Sequence, residues 1–173
     1  MGGAKSANHF KQGTRLPSVS LPATDGSDVD LVRVPGRSLV IVYPWTGRPG
    51  RPNPPGWDDI QGAHGSTPEL EGFRDHHAEF KRRGISLFGL SRQTTDYQQE
   101  LVGRLALPFP ILSDEAGLFA AALRLPSFTA GGETYLTRLT LLVSSERIER
   151  VFYPVPDPAG HAGDVLLWLK QQT

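Results

Sequence analysis

A chain of 173 residues with 38% hydrophobic and 21% charged residues is long enough for one core, and its 18 basic side chains balance 18 acidic ones to a formal charge of +0. No global field draws such a chain to nucleic acid or an anionic membrane, and no apolar run approaches the ~18 residues of a membrane span, so neither partner is expected and the cytoplasm is the expected location. The absence of cysteine removes disulfides, thiolate metal sites and thiol redox chemistry from the chain as it stands, and His9, His64, His76, His77 and His161 form no metal-ligand spacing, so neither metal nor cofactor is expected.

Residues 1–12 are polar and unpatterned and read as a flexible tail, followed by a single domain over 13–173. Val19 and Leu21, then Val29 and Leu31, alternate on either side of Thr24-Asp25-Gly26-Ser27, which predicts an N-terminal β-hairpin. Ser38 to Tyr43 is apolar after its first residue, largely β-branched, and stops at Pro44, the pattern of a central strand buried on both faces. From Pro44 to Gly62, five prolines and four glycines exclude a helix or an interior strand, and a loop this long in a compact domain is functional or disordered. Arg48 and Arg51 interleave there with Trp45 and Trp57, as a strand-binding surface would require, but Asp58 and Asp59 cancel the charge.

Ser66-Thr67-Pro68-Glu69 predicts a helix start with Ser66 and Glu69 as a capping box, and Leu70, Phe73, His77 and Phe80 continue at helical spacing to Gly84. Neighbouring histidines point about 100° apart on a helix, so His76 and His77 read as one solvated and one half-buried residue, not as a chelating pair. A buried strand over Ile85 to Leu90, a helix from Thr95 to about Leu105, a short strand ending at Leu112 and a short helix within Ser113 to Leu123 follow. Tyr135 to Val143 and Arg147 to Tyr153 read as two antiparallel strands joined at Ser144-Ser145-Glu146, and Asp157-Pro158 opens a last helix carrying Val165, Leu166, Trp168 and Leu169. The order predicts an α/β, thioredoxin-like fold: a mixed central sheet flanked by helices, with an added N-terminal hairpin.

The informative junction is the strand ending in Tyr43-Pro44, the long loop, and Gly65-Ser66-Thr67-Pro68 opening a helix. With Leu16-Pro17, Phe88-Gly89-Leu90-Ser91, Phe109-Pro110-Ile111-Leu112-Ser113-Asp114 and Arg138-Leu139-Thr140-Leu141, it resembles the peroxiredoxins, within them the Q-type, bacterioferritin-comigratory branch, over about residues 13 to 172. A subgroup with an inserted Gly-Trp-Asp-Asp-Ile run is especially similar. The resemblance implies a thiol peroxidase whose peroxidatic cysteine stands immediately before Thr-Pro, the position of Ser66, with the family arginine at Arg138. It further implies a substrate pocket at Tyr43, Pro44, Gly65 and Thr67. Within the insertion over 44–62, tryptophans exposed on a mobile loop would be an aggregation hazard, so Trp45 and Trp57 are expected to pack against the domain beside the mouth of the site. A resolving cysteine would fall at Glu71, so the pattern is of a one-cysteine type recycled by an external thiol such as a thioredoxin- or glutaredoxin-like protein, as monomer or homodimer. The family threonine three residues before the cysteine is Ala63 here, unless Thr67 supplies the hydroxyl.

Cysteine suits position 66 because unpaired N–H groups, the helix dipole and an arginine stabilise a thiolate. A serine hydroxyl is not ionised at neutral pH and has no soft sulfur to accept an oxygen, so this chain is expected to be inactive. The reading is a Cys-to-Ser variant of a one-cysteine peroxiredoxin; the alternative is a natural pseudo-peroxiredoxin acting as a binding or sensing module. A serine hydrolase is excluded by the lack of a G-x-S-x-G elbow and of identifiable His and Asp partners.

Overall fold

The computed structural model describes residues 11–172, so most of the expected tail over 1–12 lies outside the described residues. The apolar run after Pro35 becomes β3 (Arg37–Val42), which pairs in parallel with β4 (Ile85–Ser91) and antiparallel with β8 (Leu139–Ser144). Beyond these lie β5 (Ile111–Ser113) on one side and β9 (Arg147–Phe152) on the other, giving a five-stranded mixed sheet in the order β5-β4-β3-β8-β9. The central place of β3 follows from its sequence, since a strand apolar at every position must be covered on both faces. Leu39, Ile41 and Tyr43 enter one core, and Val40 and Val42 the other, with the period of two that a strand imposes.

The Tyr43 face is covered by α1 (Ser66–Asp75), α2 (His77–Arg82), α3 (Thr95–Leu105) and α5 (His161–Gln171), through Leu70, Phe73, Phe80, Leu101 and Val165. The opposite face is covered by α4 (Leu118–Leu123) and by the hairpin of β1 (Ser20–Pro22) and β2 (Asp28–Asp30), where Leu21 pairs with Val29 as the alternation predicts. The Asp114 carboxylate accepts the Phe119 and Ala120 N–H groups at 3.0 and 2.9 Å, so it serves the N-terminus of α4 from four residues before the helix begins. No helix among the described residues is long and apolar enough to cross a membrane.

Two expectations about these elements need correction. The helix expected from Ser66 to Gly84 breaks at His76, and the bend brings Phe73 and Phe80 together at 5.6 Å in a stacked pair. His76 is exposed and His77 half-buried, as expected. The strand expected over Tyr135 to Val143 is two strands with different partners. Its first part belongs to β7 (Glu133–Leu136), which pairs with β6 (Ser127–Ala130) in a hairpin that the sequence reading missed, and only from Leu139 does the chain join the main sheet. Gly131 and Gly132, at φ 58° and 84°, form the two-residue turn that this hairpin needs.

The segment over 44–62 holds no α-helix or strand, only one 3-10 turn at Trp57–Asp59, and is fastened at both ends. Near its start, Thr46 exchanges hydrogen bonds with Gln93, Arg104 donates to the Gly47 carbonyl at 3.0 Å, and Arg48 lies 4.0 Å over the Tyr97 ring. Near its end, Trp57 is buried among Trp45, Phe128 and Tyr135, so both tryptophans pack against the domain as expected.

Candidate active site

Gly65 sets the entry to α1. Its φ of 109° and ψ of 5° lie in the left-handed region, and a Cβ there would sit 2.8 Å from Cγ of Pro158, so glycine is required on both counts. Gly65 occupies the N-cap position, and Ser66 is the first helical residue, with the open N–H groups of the first turn around it.

The capping box expected from Ser66 and Glu69 does not form. Neither side chain caps the helix; both meet Arg138. Arg138 Nη1 donates to Ser66 Oγ at 3.1 Å and to Glu69 Oε1 at 2.8 Å, and Nη2 donates to the carbonyls of Gly62, Ala63 and His64 at 3.2, 3.2 and 3.0 Å. A charged guanidinium outcompetes a local backbone N–H for both oxygens, and the motif, being local, gives no sign of a partner 72 residues away. Arg138 itself does not lie within a strand, as the strand expected over Tyr135 to Val143 would have it: it occupies the two-residue break between β7 and β8. Leu139 pairs with Val42, so Arg138 emerges at the end of the sheet where β3 stops and the chain turns toward α1.

Ser66 and Arg138 are each 3% exposed and Glu69 is fully buried. Burial pushes the Glu69 carboxyl up to about 7, outweighing the pull of Arg138. Glu69 Oε2 and Arg138 Nε have no partner among the described residues. Below the guanidinium, His161 Nε2 lies 2.9 Å from Thr140 Oγ1, and burial, helped by the Arg138 charge, pushes the imidazole down to about 4. Glu69 was read only as a cap and His161 only as one of five histidines. The spacing of Glu69, one helical turn after Ser66 on the same face, was the available signal for the first; no sequence signal marks the second.

The other expected site residues are placed unequally. Thr67 is half-buried beside Ser66. Pro44 lines a cavity of about 570 Å³ with Trp45, Arg92, Tyr97 and Tyr135, a cavity whose walls do not include Ser66. The structure puts the Tyr43 side chain in the core between sheet and helices, fully buried, because the strand alternation sends it to the face that α1 covers. Glu71 is half-buried on α1, with Arg74 at 3.9 Å. Among the described residues, the Asp–His pair of Asp58 and His64, at 2.7 Å, is exposed, while the Ser66 hydroxyl accepts from Arg138, so no hydrolase triad is assembled among them.

The arrangement stabilises negative charge at one side-chain position, held by a helix N-terminus and a buried guanidinium, and supplies no base to a serine. Comparisons with known proteins agree with that architecture. The sequence matches the Redoxin family over residues 11–166. It is 30% identical over 171 residues to peroxiredoxin Bcp of Escherichia coli K12, with 95% of this chain and 98% of that protein covered. Among solved structures, peroxidoxin BcpB of Mycobacterium tuberculosis superposes with a TM-score of 0.75 at 23% identity, over 94% of this chain and 98% of that one. A cysteine-to-serine mutant of Xylella fastidiosa PrxQ superposes with a TM-score of 0.77 at 20% identity, over 95% of this chain and 98% of that one.

Proposed function

The chain belongs to the Redoxin family, among the peroxiredoxins, and we propose that its active site is a one-cysteine peroxidatic site in which Ser66 occupies the place of the sulfur nucleophile. The observation that carries this reading is the Arg138 guanidinium 3.1 Å from the side chain of the first residue of α1. With a thiol at that position, the helix N-terminus and the guanidinium favour the thiolate. The thiolate sulfur takes the distal oxygen of a hydroperoxide as the O–O bond breaks. Sulfur is oxidised by two electrons to a sulfenic acid, and the other oxygen leaves as hydroxide or alkoxide, protonated to water or an alcohol. Thr67 and Gly65 border the attacking atom as its chain neighbours, while Pro44 lines the separate cavity with Trp45 and Tyr135.

Glu71 stands where a second thiol on the same helix would resolve the sulfenic acid, so recycling requires an external thiol: it condenses with the sulfenic acid to a mixed disulfide and water, and a second thiol releases the first. Such thiols are kept reduced in the cytoplasm, the location that goes with this reading, and a monomer or homodimer suffices for it. As it stands the chain has no cysteine, and so no thiolate to oxidise.

The test is Ser66→Cys with Glu71 untouched. The variant should consume about one equivalent of hydrogen peroxide without reductant, yield a sulfenic acid that a dimedone-type probe labels, and turn over only with added thiol. Adding Arg138→Ala together with Glu69→Gln, which avoids leaving a buried carboxylate unpaired, should slow the first step by ~10²-fold, about 2.7 kcal/mol. A folded Ser66→Cys protein that forms no sulfenic acid would assign the chain to the pseudo-peroxiredoxins instead.

A further inference from the structure

The insertion carries a small aromatic core of its own, separate from both faces of the sheet. Trp57, 2% exposed, is at its centre, with ring centroids 5.4 Å from Trp45, 5.7 Å from Phe128 and 4.9 Å from Tyr135, and with Ala63 and Ala130 closing the cluster. Phe128 and Tyr135 stand on the two strands of the β6–β7 hairpin, and a Cβ on Gly131 at the tip of that hairpin would meet Pro55 of the insertion at 2.8 Å. The cluster therefore clamps the insertion to the hairpin.

The two clamped segments are the ones that meet at the guanidinium. A few residues past Trp57, the end of the insertion and the two residues after it supply the carbonyls of Gly62, Ala63 and His64, and two residues past the hairpin the chain supplies Arg138. These three carbonyls take up Nη2, which fixes the rotation of the planar group and leaves Nη1 for Ser66 and Glu69. Released from them, the guanidinium would be free to turn toward the Glu69 carboxyl, which has an oxygen still unpaired.

We propose that Trp57 is a positioning residue for the chemistry at position 66: it holds the Gly62, Ala63 and His64 carbonyls on Arg138 Nη2 and thereby keeps Arg138 Nη1 on that position. The inference rests on the reading of position 66 as peroxidatic and gives the insertion a part in it. Trp57 touches no reacting atom; it acts through Arg138.

The experiment compares Trp57→Leu, Trp57→Phe and Phe128→Ala, each in the Ser66→Cys background, by two readouts: the midpoint of the thiolate titration followed by ultraviolet absorbance, and the rate of sulfenic acid formation with hydrogen peroxide. Trp57→Leu should raise the midpoint by about one pH unit and slow the reaction about tenfold, and Trp57→Phe, which keeps an aromatic ring in the cluster, should restore both to within about twofold. Phe128→Ala, which removes one ring packed on Trp57 and leaves Trp57 itself in place, should shift both in the same direction by less, and it carries the test if Trp57→Leu does not fold. Folded Trp57→Leu and Phe128→Ala variants whose midpoints stay within about 0.2 pH unit of the parent, whatever their rates, would overturn the proposal, since a purely structural role leaves the thiolate where it was. If the parent Ser66→Cys protein does not react with peroxide, the functional reading fails, and the midpoint shift between variants still decides the role of Trp57.

Discussion

Glu69 and His161 are both buried within the field of Arg138, and their titrations oppose each other. The folded Glu69 carboxyl, raised from 4.5 to about 7, keeps its proton where the unfolded chain has lost it, so its contribution to stability is fully present below 4.5 and is lost as pH rises through about 7. His161, lowered from 6.5 to about 4, contributes above 6.5 and loses that contribution as pH falls toward 4. The two opposing dependences overlap between 4.5 and 6.5, so stability there should be nearly flat. Glu69→Gln leaves His161 uncompensated: the denaturation midpoint should then climb steadily from about pH 4 to about pH 6.5, and a flat profile would mean that the imidazole is not held neutral. Of these residues, the sequence pattern singled out Ser66 and Arg138 through the family resemblance, and misassigned Glu69. A capping box describes bonds within four residues, whereas the oxygen of Glu69 is claimed from the break between two strands.

At the scale of elements, the start of α1 is fixed by Gly65 against Pro158. Gly65→Ala should destabilise the protein by about 2 to 4 kcal/mol, part from the left-handed φ and part from the overlap with the proline ring. Adding Pro158→Ala should recover only the overlap, leaving about 1 to 2 kcal/mol in chemical denaturation; full recovery would show that the backbone strain is absent. In the main sheet, β3, β4 and β5 were legible as apolar runs bounded by turn residues and β9 as the strand returning after Ser144-Ser145-Glu146, and the parallel pairing of β3, β4 and β5 followed from their alternation with helices. The β6–β7 hairpin was not, although Gly131-Gly132 marks it, because the continuous β-favouring run through Leu136 and Leu139 conceals a change of partner. The break at His76 was also illegible, since Phe73 and Phe80 keep helical spacing on both sides of it.

Across the whole molecule, Arg138 ties together α1, through Ser66 and Glu69, the carbonyls of Gly62, Ala63 and His64 between the insertion and α1, and the sheet, through its own backbone beside Leu139. Removing it alone strips the partner from a buried carboxyl and from those carbonyls, so Arg138→Ala should cost about 3 to 5 kcal/mol, whereas Arg138→Met with Glu69→Leu should regain most of that loss; additive costs in the double-mutant cycle would contradict a coupled buried pair. The place of the insertion could be read from its prolines and glycines and its packed tryptophans were expected, but its contact with Arg138 could not be read, because Phe128 and Tyr135 follow it by some 70 residues. The claim on which the rest depends is that position 66 is an anion site complete except for its sulfur. The thiolate titration of Ser66→Cys tests it most directly: the account predicts a midpoint well below the free-thiol value of about 8.5, and a midpoint at or above that value, as for a cysteine merely buried in apolar surroundings, would contradict it.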